Sequence, residues 1–172
     1  MEISYYPSKD ILQSTCHVIT IPVNAVGVMG AGLALQFAIR YPEMCEYYKA
    51  VCKEGNYKAG DVILLTMFAQ YAFRQKNVKP GDYIPKFALL ATKQHWKDPS
   101  KPGWVWDGLK ELKSRIAEFD HIKSVALPPL GCGLGGLSWV EIHALILRVF
   151  EDTDLQVCIY GAGNPEPNRS HR

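Results

Sequence analysis

Nowhere in the chain do roughly 20 apolar residues run together, the length that a membrane-spanning helix requires. Glu2, Lys9 and Asp10 interrupt the apolar residues near the start, so no secretory leader and no membrane partner are expected. Cysteine is poorly placed for its structural uses. The five, Cys16, Cys45, Cys52, Cys132 and Cys158, include no Cys-x-x-Cys pair and no cluster beside histidine at zinc spacing. An odd count argues against a disulfide framework and points to a reducing, cytoplasmic setting. None of the five histidines sits in a His-Glu-x-x-His pattern, and neither a metal nor another cofactor is expected. A large charge of one sign is missing too. The formal net charge of +2 gives no whole-molecule field for nucleic acid and leaves room only for a local basic surface.

What remains is an ordinary globular composition: 48% hydrophobic and 21% charged residues in 172, enough for one domain with a single core. No repeat, linker or low-complexity block divides it. Short apolar runs predict strands at 3–6, 17–23, 61–66, 86–91, 124–127 and 155–160. Pro22 is expected at a strand end or bulge. Helical periodicity covers 32–40, 43–53, 104–119 and 138–150. Val105, Leu109, Leu112, Ile116 and Phe119 share one face of the third helix. Ile142, Leu145, Ile146, Val149 and Phe150 share one face of the fourth, which Ser138 and Glu141 are expected to open as a capping box. Residues 67–83 are ambiguous, with a turn signal at Lys79-Pro80-Gly81-Asp82. Residues 92–103 read as a long surface loop. The domain is expected over 1–162, with a flexible tail at 163–172. Strands alternating with helices, several of them continuously apolar, predict an α/β fold with a mixed, mostly parallel sheet covered on both faces.

Two glycine-rich loops carry the chemical signal. Residues 24–32 (NAVGVMGAG) and 128–136 (PPLGCGLGG) each follow a predicted strand and precede a helix. Glycine lets the backbone approach a ligand, and a helix N-terminus adds partial positive charge. Two such seats suit two linked phosphates. The first loop has neither Rossmann spacing nor the Gly-Lys-Ser/Thr ending of a P-loop. Ligands of such sheets lie beyond the carboxyl ends of the strands, where both loops fall.

The order and wording of these motifs resemble the macro domain family. Asp10-Ile11, NAVGVMGAGLALQF and PPLGCGLGGLSW follow one another as they do there, over about residues 2–160. The Thr92-Lys93-Gln94-His95-Trp96 segment is similar to the branch that contains the human terminal ADP-ribose glycohydrolase and the DarG-type antitoxins. The resemblance implies a three-layer α/β/α domain that binds ADP-ribose. It also implies roles. Asp10 accepts from the adenine amino group, with Ile11 nearby and Tyr160 stacking on the base. A carboxylate is acceptor-only and selects an amine, although an Asx turn or N-cap suits Asp10 as well. Met29, Gly30, Ala31 and Gly32 form one phosphate seat; Gly131, Cys132, Gly133, Leu134 and Gly135 form the other. Asn24 contacts the distal ribose. Lys93 acts at its anomeric carbon, either as a nucleophile with a neutral amine or as electrostatic support for the leaving group. His95 is a candidate proton carrier. Tyr160 as a core side chain, and Lys93 and His95 as surface residues, remain open alternatives.

One departure matters. A catalytic aspartate of the human enzyme matches Gly135 here, which directs the reading away from protein-glutamate conjugates and toward the DNA-directed branch. The expected activity is an ADP-ribosyl glycohydrolase acting on thymidine-linked ADP-ribose in single-stranded DNA. An ADP-ribose 1″-phosphate phosphatase and a non-catalytic ADP-ribose reader are the alternatives. Lys93, Lys97 and Lys101, with Arg74, Lys76 and Lys79, are candidate phosphate contacts, and Trp96, Trp104 or Trp106 candidate stacking residues. A monomer is expected.

Overall fold

A computed structural model describes residues 1–65 and 86–165 of the protein. The ambiguous 67–83 segment, with Arg74, Lys76 and Lys79, and the tail from 166 onward lie outside the described residues.

The described strands are β1 (Glu2–Tyr6), β2 (Val18–Asn24), β3 (Val62–Leu65), β4 (Lys86–Lys93), β5 (Ser124–Leu127) and β6 (Gln156–Tyr160). The helices are α1 (Gly32–Arg40), α2 (Pro42–Lys53), α3 (Pro102–Ala117) and α4 (Trp139–Phe150), and a 3-10 turn covers Ile11–Gln13. The strands form one sheet in the order β1-β6-β5-β2-β4-β3. Only β3 runs antiparallel to its neighbour; the other pairings are parallel.

Side chains alternate across a strand, so a strand buried on both faces feeds two cores. On β4, Phe87, Leu89 and Ala91 enter the core beneath α1 and α2, while Ala88 and Leu90 enter the core beneath α3 and α4. On β6, Cys158 and Tyr160 join the first core and Val157 and Ile159 the second. This explains the continuous apolar runs and gives the three-layer α/β/α architecture expected of the chain.

Several details differ from the sequence reading. Thr92 and Lys93 belong to β4, not to a surface loop, and Thr92 is buried. The bulge lies between Val23 and Asn24, after Pro22. β2 pairs with β5 only at Val18 and Ile19, so Pro22 sits where the strand has just lost one of its two neighbours. Ser138 has the extended backbone of an N-cap, but its side chain makes no capping bond, so the capping box does not form. The buried face of α4 (Ile142, Ile146, Val149 and Phe150) anchors that helix. The same face includes His143, whose Nε2 lies 2.7 Å from the Tyr5 hydroxyl. Leu145 is only partly buried, and Phe119 lies beyond the end of α3.

Candidate active site

Strand order arranges the site. The segment containing Asp10 follows β1, and Tyr160 ends β6; Tyr6 and Tyr160 are register partners. The second glycine loop follows β5, the first follows β2, and Lys93 ends β4. Across the carboxyl edge the order is therefore Asp10 and Tyr160, second loop, first loop, Lys93. From β6 to β4 there are three strand spacings of about 4.8 Å, a span of roughly 14 Å. That span suits an extended ligand with its charge in the middle.

A polar side chain organises the first loop. Asn24 is buried. Its Nδ2 donates to the Val28 carbonyl at 2.7 Å, and its Oδ1 accepts from the Val26 and Val28 amides at 3.1 and 3.3 Å. The Tyr48 hydroxyl, from α2, donates to the Asn24 carbonyl at 2.6 Å and lies 2.9 Å from Oδ1. Burial holds the Tyr48 phenol well above its ordinary pKa, so it is a donor at any physiological pH. The Asn24 amide is thus committed to shaping its own loop. The Met29 side chain is buried in the core, whereas Gly30, Ala31 and Gly32 are exposed. Ala31 precedes α1 with no side-chain cap, and the first turn of α1 carries no acidic residue, which leaves its amides open to an anion.

Packing organises the second loop. Gly131 and Gly135 are buried, while Gly133 and Leu134 are exposed. The Leu137 amide donates to the Gly131 carbonyl at 2.9 Å, and the Ser100 amide to the Gly135 carbonyl at 3.0 Å. A Cβ on Gly135 would lie 2.3 Å from Ser100 Oγ and 2.4 Å from the Gly131 carbonyl oxygen. No side chain fits there without a shift, so position 135 requires glycine for the loop to close on Ser100. Ser100 Oγ itself is buried and has no hydrogen-bond partner among the described residues. The Cys132 thiol is pushed up to about 11, by burial first and by Glu141 second, so it stays protonated near neutrality.

Lys93 stands where these parts meet. The β2 bulge brings Asn24 into register with Lys93, and the Ala25 amide donates to the Lys93 and Gln94 carbonyls at 3.1 and 3.2 Å. Lys93 Nζ donates to the Leu134 carbonyl of the second loop at 3.3 Å and to the Trp96 carbonyl at 3.4 Å. His95 is half-buried. Its Nδ1 accepts from the Lys97 amide at 3.2 Å, which leaves Nε2 to carry the proton of the neutral ring. Gln94 fixes the same turn from outside: its Oε1 accepts from the Ala59 amide at 3.0 Å.

At the other end, Tyr6, Ser8, Lys9, Asp10, Gln13, Thr15 and Tyr160 line a cleft of about 570 Å³. Asp10 Oδ1 accepts from the Leu12 amide at 2.9 Å as the N-cap of the 3-10 turn, which buries Ile11 beneath it. The second carboxylate oxygen has open acceptor capacity. Tyr160 is 8% exposed and packs against Tyr6 with ring centroids 4.9 Å apart. It is largely a core side chain with one edge on the cleft. The Tyr6 ring, half-buried and with Lys9 Nζ 5.0 Å from its centroid, presents more surface there. Tyr6, Tyr48 and Ser100 were given no role by the sequence reading, and Gln94 was named only as part of its motif; Tyr48 and Ser100 join the site across the fold.

Sheet order, paired glycine loops and a cleft at the outer strands define a ligand-binding α/β/α domain. A family model described as Macro domain matches residues 21–146, and the chain belongs to that family. Within it, the chain is similar to the DNA ADP-ribosyl glycohydrolase of Mycobacterium tuberculosis, 37% identical over 158 residues that cover 90% of this chain and 41% of that protein. This chain thus spans 41% of that relative's length. The solved macrodomain of Mycobacterium tuberculosis DarG superposes with a TM-score of 0.79 at 35% identity, covering 94% of this chain and 98% of that one. Thermosipho africanus DarTG in complex with ADP-ribose superposes with a TM-score of 0.77 at 29% identity, covering 92% of this chain and 41% of that one. No described helix is long and apolar enough to cross a membrane. Among the described residues, no group of three or more His, Cys, Asp or Glu side chains is placed to hold a metal.

Proposed function

We propose that the chain binds ADP-ribose along the carboxyl edge of the sheet and removes it from a nucleobase in single-stranded DNA. The carrying observation is the position of Lys93 Nζ. It lies at the β4 end of the track, beside Asn24 and 3.3 Å from the carbonyl of Leu134 in the second loop.

Adenine enters the outer cleft, its amino group donating to Asp10 near Ile11, with Tyr6 and the edge of Tyr160 against the ring. The diphosphate lies between the amides of Gly30, Ala31 and Gly32 and those of Cys132, Gly133 and Leu134. Gly131 and Gly135 hold the second loop in shape, and Met29 and Asn24 hold the first. The distal ribose then reaches Lys93. The amine, once it has given up a proton, attacks the anomeric carbon as the bond to the base nitrogen breaks. The departing base takes the bonding pair and the proton that the amine gave up, while the His95 Nε2–H donates a hydrogen bond to it. Water then adds to the same carbon as the carbon–amine bond breaks, and its proton passes to the departing amine, which restores the ammonium and frees ADP-ribose. No carboxylate from the second loop takes part, because position 135 admits no side chain. The relatives named for DNA support this substrate.

The test is turnover of an ADP-ribosylated single-stranded oligonucleotide. The unmodified protein is expected to release ADP-ribose, and Lys93→Ala to release none above background while still binding free ADP-ribose. No release by the unmodified protein, or equal release by Lys93→Ala, overturns the reading.

A further inference from the structure

The turn that fixes Lys93 also carries the most open tryptophan of the molecule. Trp96 is 48% exposed, whereas Trp104, Trp106 and Trp139 are all more buried. Trp106 packs against the core under α3 and α4, with Lys110 Nζ and Arg148 Cζ each 5.6 Å from its ring centroid. Trp139 donates its indole N–H to the Gly163 carbonyl at 2.9 Å. Among the described residues, nothing anchors the Trp96 ring in the same way. Among them, the His95 ring stacks with it at 5.5 Å and 28°, and Lys97 Nζ lies 5.0 Å from its centroid. Its backbone, by contrast, is held. The Trp96 carbonyl accepts from Lys93 Nζ at 3.4 Å, and the Asp98 and Lys97 amides bond back to His95.

A large apolar ring left open to water on a fixed turn, beside a reacting amine, needs an occupant. A lysine lying over an exposed ring is held weakly, whereas a stacked nucleobase is held more strongly and with little preference for sequence. A base therefore displaces the Lys97 ammonium from the ring, and the freed ammonium meets the adjoining phosphate. We infer that Trp96 and Lys97 form the seat for the nucleotide next to the reacting one in single-stranded DNA, base on the indole and phosphate on the ammonium. This rests on the nucleic-acid reading above and adds to it a residue that favours a strand over an isolated nucleoside.

Binding of an unmodified single-stranded oligonucleotide, followed by fluorescence anisotropy, separates this inference from the glycohydrolase reading, since no turnover is involved. Trp96→Ala is expected to weaken binding about tenfold. Trp96→Phe is expected to keep most of the affinity. Lys97→Met is expected to lower the slope of log K against log salt by about 0.7. Affinity for free ADP-ribose and the thermal melting curve are expected to stay unchanged in all three. Equal oligonucleotide binding by Trp96→Ala and the unmodified protein overturns the inference. So does an oligonucleotide that fails to bind the unmodified protein, or a matching loss of free ADP-ribose affinity, which would assign the ring to the ADP-ribose track.

Discussion

The two glycine loops look alike in sequence and are built by opposite means. The first is shaped by atoms that are present: the Asn24 amide bonds three times to its own loop, and Tyr48 braces it from α2. The second is shaped by atoms that are absent: Gly131 and Gly135 let the chain close on Ser100 and Leu137. Glycine richness therefore marks where an anion is received without saying what holds the receiver. The first loop should break when a hydrogen-bonding group is removed, and the second when atoms are added.

The largest effect is expected from Gly135→Ala. The new methyl would meet Ser100 Oγ and a backbone oxygen, and the backbone cannot swing aside as a side-chain tip can. A loss of about 3 kcal/mol in unfolding free energy is expected, together with loss of ADP-ribose affinity, measured by denaturation and calorimetry. Gly135→Asp should do at least as much harm, so restoring the aspartate of the resembled human enzyme should not restore its chemistry. Asn24→Ala comes next. It strands the Val26 and Val28 amides and the Val28 carbonyl, for an expected loss of about 2 kcal/mol. Amide hydrogen exchange should rise in residues 24–32 and stay unchanged in 128–136. Tyr48→Phe is the mildest, at about 1 kcal/mol, with exchange rising in the first loop alone. If Asn24→Ala loosened both loops equally, or Gly135→Ala left the second intact, the contrast between them would be wrong.

The sheet and helices were legible because the buried strands are mostly apolar and the helices carry an apolar stripe. α1 and β5 lie where periodicity predicts them. Boundaries failed where polarity and burial part company. Thr92 and Lys93 look like loop residues, yet pairing with the bulged end of β2 continues the strand through them. The capping box failed because its local wording is satisfied while the Ser138 hydroxyl makes no cap. At the carboxyl edge, the fold brings together the residues that the local motifs named. Those that join them only through the fold were not named: Tyr48 acts from 24 residues away along the chain, and Ser100 meets Gly135 across two separate loops. Asn24, expected at the distal ribose, has its amide occupied by its own loop, which suits a positioning residue.

The decisive measurement is a crystal structure of the protein with ADP-ribose bound. The account predicts adenine against Asp10 and Tyr6, the diphosphate between the two loops, and the anomeric carbon of the distal ribose within about 3.5 Å of Lys93 Nζ. A nucleotide bound in the reverse direction, or a distal ribose turned away from that amine, would contradict it.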